Sequence, residues 1–191
     1  MDRIMALSDG IFGVAITLLV LTIDVPDLAK GSTDAELWSR LVAQAPEFLS
    51  FILGFIVVGA FWISHHQKLR FIKRYDKTFL WINIFSLLLV CLLPFTTNLL
   101  GDYENSQLAL ILFASNLFLV SLMFTLMWVY ATYKRRLVDV DLDKSTIQEV
   151  TMVNLLIAGL FVGSIILSFL HIDAAKYSWL LIIPLVFMFK K

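Results

Sequence analysis

Long apolar runs are the feature that most constrains what this chain can fold into. Six of them occur, at 4–25, 42–64, 78–100, 107–132, 148–170 and 174–189. A helix of about 20 mostly apolar residues crosses the hydrocarbon core of a bilayer, and the first five runs reach that length. The sixth has a strongly apolar part of thirteen residues that Pro184 interrupts, so a short, tilted or half-inserted helix is the alternative there. We predict an all-α integral membrane protein with six transmembrane helices.

The composition supports this class and excludes others. The chain is 60% hydrophobic and only 16% charged, whereas soluble domains carry about 25% charged residues. Fifteen basic and fifteen acidic residues cancel, which argues against a nucleic-acid partner. No segment outside the runs is long enough to fold by itself, so we predict a single six-helix domain over 1–191.

The basic residues predict the orientation of the helices. With the N-terminus inside, twelve of the fifteen fall on the inner side, which is the bias expected of cytoplasmic loops. The inner set is Arg3, Lys68, Arg70, Lys73, Arg74, Lys77, Lys134, Arg135, Arg136, Lys144, Lys190 and Lys191. We therefore expect a multi-pass protein of the cell membrane with both termini cytoplasmic.

Three local features of the connections and helix ends can also be predicted. The longest outer connection, 26–40, is expected to carry a short interfacial helix that includes Trp38. Pro94 is expected to bend the third helix near its outer end, because proline removes a backbone donor. Ser145 or Thr146 is expected to cap the fifth helix.

Polar residues within the apolar runs are candidates for function, because ionisable groups are rare in membrane helices. Arg3 and Asp9 lie in the inner part of the first helix, His65 and His66 close the second, and Asn83 lies in the inner part of the third. Successive helices run in opposite directions, so these groups share a depth. One interpretation is a structural hydrogen-bond network that holds the three helices together, and the other is a proton relay or a metal site.

The network is the favoured interpretation. Adjacent histidines point about 100° apart on a helix, so His65 and His66 cannot easily share a metal, and the sequence has no HExxH motif. The single cysteine, Cys91, lies in an apolar run and is predicted to be a buried small hydrophobe. No metal is expected.

The first helix has two distinct faces. At 100° per residue, Thr17, Leu18 and Leu21 lie within about 60° of Val14 and form one stripe, while Asp9 is about 140° away. Ser8 and Asp9 are therefore expected to face neighbouring helices. Periodicity alone cannot tell whether the stripe faces lipid, another helix or a pore.

Four elements of the sequence resemble a known family. Arg3 followed by LSDG at 7–10 resembles the RxxxFSDG signature of the bacterial relatives of the endolysosomal potassium channel, and the similarity continues into IFGVAITLLVL. FWISHHQKL at 61–69 is similar to the family's WxxHH element, and NIFSLLLVCLLPFTTNLL at 83–100 to its third helix. These elements lie in the family's order on the first three predicted spans.

The resemblance implies a homotetramer of six-helix protomers around a central pore lined by the first helix, without a P-loop. The constriction falls on Val14, further apolar rings on Leu18 and Leu21, and the threonine layer linked to potassium preference on Thr17. Arg3, Ser8, Asp9, His65, His66 and Asn83 then form the network that holds the first helix in register. Two positions depart from the family pattern, since Leu7 replaces the signature phenylalanine and Val14 is smaller than the usual isoleucine or leucine. Leu18 is therefore the alternative for the narrowest ring.

The function that the resemblance implies is a potassium-preferring cation channel of the leak type, gated by hydrophobic constriction rings. No helix carries the regularly spaced arginines of a voltage sensor, and the protein is not expected to be an enzyme. No cofactor is expected, potassium is the permeant ion, and the partners are the bilayer and further copies of the chain. The alternative is a small proton-coupled secondary transporter that uses Asp9 and the histidines as a relay.

Overall fold

The computed structural model describes residues 2–103 and 105–182, and this part of the chain is helical. Eight α-helices and three short 3₁₀ helices follow one another within these residues. The α-helices are α1 Asp2–Leu18, α2 Asp34–Ala43, α3 Ala45–Phe71, α4 Lys77–Cys91, α5 Leu93–Asp102, α6 Gln107–Thr132, α7 Lys144–Ser168 and α8 Ile172–Ser178. The 3₁₀ helices are Leu19–Thr22, Tyr133–Arg135 and Trp179–Leu181.

Five helical segments of the described residues are long and apolar enough to span a membrane. They are Asp2–Thr22, Ala45–Phe71, Lys77–Asp102, Gln107–Arg135 and Lys144–Ser168. The fourth predicted run, 107–132, has the bounds of α6. Of the sixth run, only the part up to Ile182 is described, and Pro184, Lys190 and Lys191 lie outside the described residues. A count of six spans therefore stays a prediction.

The second predicted run ended too early. It stopped at residue 64, whereas α3 continues to Phe71. Polar residues begin at this point, yet His65 and Lys68 are both buried because the protein supplies their partners. The Nζ of Lys68 donates to Ser64 Oγ at 2.8 Å and lies 5.1 Å from the centre of the Phe124 ring. The histidines consequently lie within the last two turns of α3 and do not close it.

The third span is interrupted where proline predicts it. Leu92 separates α4 from α5, and Pro94 lies in the first turn of α5. Proline is accepted at this position because the first amides of a helix have no intrahelical carbonyl to bond. Thr96 Oγ1 lies 3.3 Å and 3.2 Å from the carbonyl oxygens of Leu92 and Leu93, so it adds a side-chain bond at the break.

The connection between α1 and α3 contains the predicted short helix, α2, which includes Trp38. Thr33 and Glu36 form a reciprocal capping box at its start, with Thr33 N donating to Glu36 Oε2 at 2.8 Å and Glu36 N donating to Thr33 Oγ1 at 3.3 Å. Such a cap satisfies two amides that the first turn leaves unpaired.

The predicted cap of the fifth helix was wrong. α7 begins at Lys144 with Asp143 as its N-cap residue, one turn before the predicted start. Ser145 donates its hydroxyl to the Asp143 carboxylate. No side-chain bond caps the amides of this first turn, and the negative charge of Asp143 lies beside the partly positive N-terminus of the helix.

Two apolar cores hold the helices together. The larger one is built around aromatic side chains of four helices, and the smaller one lies towards the α3–α4 loop. Buried rings of the larger core are Phe12, Phe61, Phe113, Phe124 and Phe161, and the smaller core includes Ile4, Leu69, Ile72, Phe79 and Val138. α6 is central, with 56% of its apolar window buried, whereas the first helix has only 28%. Most of the first helix is therefore uncovered in the protomer.

Candidate functional site

α1 packs one face against α3 and α4 and leaves the opposite face open. The residues of its packed face recur at spacings of three or four, as expected when one side of a helix faces a core. They are Ile4, Ser8, Phe12 and Ala15, and Leu19 continues the face into the following 3₁₀ helix. Because this face is packed against α3 and α4, the direction of the side chains on the opposite face of α1 is fixed as well.

The predicted stripe lies on the open face. Val14 is 57% exposed, Leu18 43% and Leu21 72%, and Thr17 lies among them, also exposed. The four residues therefore share one uncovered surface of the protomer. Apolar side chains that are this exposed in a membrane protein contact lipid or another copy of the chain, or they line a pore.

The Thr17 hydroxyl is engaged with the backbone of its own helix. Its Oγ1 lies 2.9 Å from the carbonyl oxygen of Val14 and 3.0 Å from that of Gly13. A hydroxyl has one proton and two lone pairs, so donation to the backbone leaves the oxygen as an acceptor. An acceptor oxygen on the open face is the type of ligand that coordinates an alkali cation.

An apolar groove of about 380 Å³ runs along the open face of α1. Its lining comes mostly from α1, and Cys91 at the end of α4 completes it. A side-chain carbon added at Gly10 or Gly13 would meet nothing within 4 Å, so this part of α1 has room for a close neighbour. Cys91 is exposed rather than buried as predicted, because the break at Leu92 ends α4 beside this groove.

A buried chain of hydrogen bonds joins three helices on the packed face. His65 Nε2 lies 2.9 Å from Asn83 Oδ1, and Asn83 Nδ2 donates to Ser8 Oγ at 3.4 Å. An amide oxygen only accepts, so the histidine donates from Nε2. The imidazole ring packs against both Phe12 and Phe124, with centroid distances of 5.6 Å and 4.9 Å. Both polar bonds and apolar packing therefore fix α1 against α3 and α4.

A second, half-exposed cluster surrounds Asp9. Trp62 Nε1 donates to Asp9 Oδ1 at 2.8 Å, and His66 Nδ1 lies 3.9 Å from the same oxygen. Sequence reasoning missed Trp62 as the main partner of Asp9. The available signal was its spacing, because Trp62 and His66 are four residues apart and share a face of α3.

The predicted network residues thus form two groups, and one residue joins neither. Ser8, His65 and Asn83 belong to the buried chain, whereas Asp9 and His66 belong to the half-exposed cluster. Arg3 is exposed, and its side chain forms no hydrogen bond or ion pair with the described residues. Its charge lies in the first turn of α1, where water can solvate it.

Comparison with known proteins gives the family. A sequence model described as "Endosomal/lysosomal potassium channel TMEM175" matches residues 3–94. A protein of Streptomyces collinus named as a potassium channel is 32% identical over 145 residues, which are 74% of this chain and 69% of that protein. A protein of Chamaesiphon minutus, also named as a potassium channel, is 32% identical over 173 residues, covering 89% of this chain and 85% of its own length.

The fold agrees with a solved channel of the same family. The crystal structure of a lysosomal potassium-selective channel TMEM175 homologue from Chamaesiphon minutus matches this structure with a TM-score of 0.86 and 29% sequence identity. The match covers 98% of this chain and 96% of that one. These relatives are ion channels and not enzymes, and the chain belongs to the family of the endosomal/lysosomal potassium channel TMEM175.

Proposed function

We propose that four copies of this chain form a potassium-preferring leak channel in which α1 of each copy lines a central pore. The observation that carries the proposal is the open face of α1, where Val14, Thr17 and Leu18 are uncovered while the opposite face is packed. A lipid-facing surface would explain the apolar members equally well. It explains Gly10, Gly13 and Thr17 poorly, because small and polar residues in membrane helices favour helix contacts or water over lipid.

The apolar rings would control conduction by dewetting. A narrow aliphatic constriction expels water, so an ion must lose part of its hydration shell to pass. Val14 or Leu18 forms the narrowest ring, and Leu21 forms a further ring beyond Thr17. A small rotation of α1 would widen the rings and allow water to return.

Thr17 would provide the preference for potassium. Its hydroxyl oxygen is left as an acceptor on the open face, and four such oxygens can replace part of the hydration shell of a cation. Potassium is dehydrated more easily than sodium because it is larger. Hydroxyl oxygens on side chains form a less rigid cage than backbone carbonyls, so we expect modest selectivity.

The two polar groups beside α1 would hold the rings in register. Ser8 and Asp9 are adjacent in sequence and are bound on different sides of the helix, one by Asn83 and the other by Trp62. Contacts on two sides fix the rotation of α1 about its axis. The protein would lie in the cell membrane with both termini cytoplasmic, which places these groups near the inner end of the pore.

Ion flux through reconstituted protein tests the proposal. The purified full chain in liposomes should carry potassium faster than sodium, without a proton gradient and without saturation by a substrate. Absence of ion flux would contradict the channel, and flux that depends on a proton gradient would favour the transporter.

Two substitutions with matched controls test the pore residues. Val14→Ala should raise potassium flux by widening a ring, whereas Leu108→Ala, at an exposed position of α6, should not. Thr17→Val should reduce the preference for potassium over sodium. Thr151→Val is its control, because Thr151 also bonds the carbonyl four residues earlier, at 2.7 Å, but lies on α7. If each variant and its control had equal effects, Val14 and Thr17 would not line the pore.

A further inference from the structure

Two loops at the same end of the bundle are tied together although they lie far apart in the sequence. Ile72, after α3, pairs in an antiparallel bridge with Val138, after α6. The backbone amides of Lys73 and Arg74 both donate to the carbonyl oxygen of Leu137, at 2.9 Å and 3.2 Å. The α3–α4 loop and the α6–α7 loop therefore form one continuous surface.

The acidic side chain of the first loop is occupied by local partners. Asp76 accepts from Phe79 N at 2.9 Å and from Tyr130 Oη at 2.7 Å, and lies 3.3 Å from Arg136 Nε. These bonds, first of all the one from the Phe79 amide, lower the pKa of Asp76 below its ordinary value. The carboxylate remains charged, but its charge is already compensated within the fold.

Several basic side chains of the joined loops have no such compensation. Lys73, Arg74 and Lys77 are exposed, and among the described residues none of them pairs with a carboxylate within 4 Å. We use the term inner basic surface for the following set: Arg70, Lys73, Arg74, Lys77 and Lys134. Asp139 and Asp141 are exposed further along the second loop and reduce the net charge there, so the excess of positive charge is concentrated on the α3–α4 side.

Exposed aromatic rings accompany these charges. Tyr75 is 52% exposed and Tyr133 62%, and Lys134 Nζ lies 5.4 Å from the centre of the Tyr133 ring. Tyrosines at the ends of apolar helices are typical of the headgroup region of a bilayer, where the ring is apolar and the hydroxyl is hydrated. Tyr75 lies two residues before the start of α4 and Tyr133 directly after α6, and these positions indicate that the inner basic surface lies at headgroup depth.

We propose that the inner basic surface binds the phosphate groups of anionic phospholipids in the adjacent leaflet. Clusters of Lys and Arg directly beside membrane helices attract such lipids, with a contribution of about fivefold in affinity per residue. The orientation bias of membrane loops accounts for the number of basic residues. It does not account for two distant loops being tied into one surface, in whose α3–α4 part the Asp76 carboxylate is compensated while Lys73, Arg74 and Lys77 are exposed. This proposal depends on the chain spanning a membrane and not on its ion preference.

A lipid titration of the full chain tests this proposal. The protein is placed in phosphatidylcholine nanodiscs with increasing fractions of phosphatidylglycerol, and the thermal unfolding midpoint is followed to obtain an apparent lipid affinity. The midpoint should rise with the fraction of phosphatidylglycerol. The double variant Lys73→Gln/Arg74→Gln should bind phosphatidylglycerol roughly thirty-fold more weakly, because it lacks two of the positive charges. The control Lys30→Gln/Arg40→Gln removes the same charge from exposed positions at the other end of the bundle and should retain the wild-type affinity.

Three outcomes would overturn the proposal. The first is an unfolding midpoint that does not change with phosphatidylglycerol, and the second is an equal loss of affinity in both double variants. The third is an equal rise of the unfolding midpoint when inorganic phosphate is added to protein in phosphatidylcholine alone. The last result would mean that the surface binds free phosphate rather than lipid. If Lys73→Gln/Arg74→Gln does not fold, the single variant Lys77→Gln, at the exposed start of α4, replaces it with an expected loss of about fivefold.

Discussion

At the residue scale, neighbouring polar residues of α1 have different surroundings. Ser8 is 1% exposed and belongs to the buried chain with Asn83 and His65, whereas Asp9 is half-exposed and bonded to Trp62. A buried polar group without a partner is costly, and a half-exposed one can still be solvated. The buried chain should therefore contribute more to folding than the cluster around Asp9.

Substitution of the central residue of the buried chain tests this. Asn83→Leu should lower the free energy of unfolding by about 1–3 kcal/mol, because it leaves the Nε2 proton of His65 without an acceptor. Ser8→Ala should cost less, since the bond from Asn83 to Ser8 is 3.4 Å long and bonds weaken at that length. Denaturant unfolding in detergent measures both, and a larger loss for Ser8→Ala would contradict the assignment.

The Asp76 carboxylate gives a prediction with a defined pH dependence. Bonding to the Phe79 amide lowers the pKa of Asp76 below the ordinary value of 3.8. Ionisation of this carboxyl group therefore stabilises the folded state relative to the unfolded state. This contribution is complete above pH 3.8 and is lost as the pH falls through the lower pKa of the folded state. Asp76→Asn should therefore have a lower unfolding temperature than wild type at pH 7, and the difference should shrink below pH 3.8. A difference that does not vary with pH would contradict this role.

At the element scale, Gly54 of α3 lies at a close approach between helices. A side-chain carbon at this position would lie 2.9 Å from Thr97 Cγ2 of α5 and 3.4 Å from Leu19 Cδ2. The glycine therefore lets three segments meet: α3, α5 and the 3₁₀ helix that extends α1. The contact lies where α1 ends at Leu18 and the 3₁₀ helix Leu19–Thr22 begins.

Two alanine substitutions on the same helix test the close approach. Gly54→Ala should destabilise the protein by about 1–3 kcal/mol, because the added methyl forces neighbouring atoms to move. Gly59→Ala is the control, since nothing lies within 4 Å of its added carbon, and it should be neutral or stabilising by up to about 1 kcal/mol. Thr97→Ala in the Gly54→Ala background should recover part of the loss. Equal unfolding free energies for the two single variants would show that α3 and α5 do not meet at Gly54.

The sequence predicted elements where burial and composition agree. α6 could be bounded from its apolar run because no charged residue occurs between Gln107 and Thr132, and the break before Pro94 followed from the chemistry of proline. The end of α3 could not be found in this way. Lys68 and His65 read as polar and therefore as outside the membrane, but their burial depends on Ser64, Asn83 and aromatic rings that only the folded chain brings together.

At the scale of the whole molecule, the sequence alone could define the stripe on α1 but not its surroundings. Helical phase places Val14, Thr17 and Leu18 on one face, and the structure leaves that face open. Lipid, a second copy and a pore all accept an apolar stripe, but the polar Thr17 within the stripe favours the pore. Nearness in the sequence did not predict the contacts of Arg3. This residue was expected to join the polar groups of α1, and it instead lies exposed.

The chemical accessibility of the open face of α1 during ion flux is the most direct test of whether α1 lines the pore. The chain has one cysteine, so Cys91→Ser gives a background in which Thr17→Cys, Leu21→Cys and, as a control on α6, Leu108→Cys can each be treated with a water-soluble thiol reagent. If α1 lines the pore, the reagent should stop potassium flux in Thr17→Cys and Leu21→Cys and leave Leu108→Cys unaffected. Undiminished flux in Thr17→Cys and Leu21→Cys, with Cys91→Ser itself conducting, would contradict a pore lined by α1.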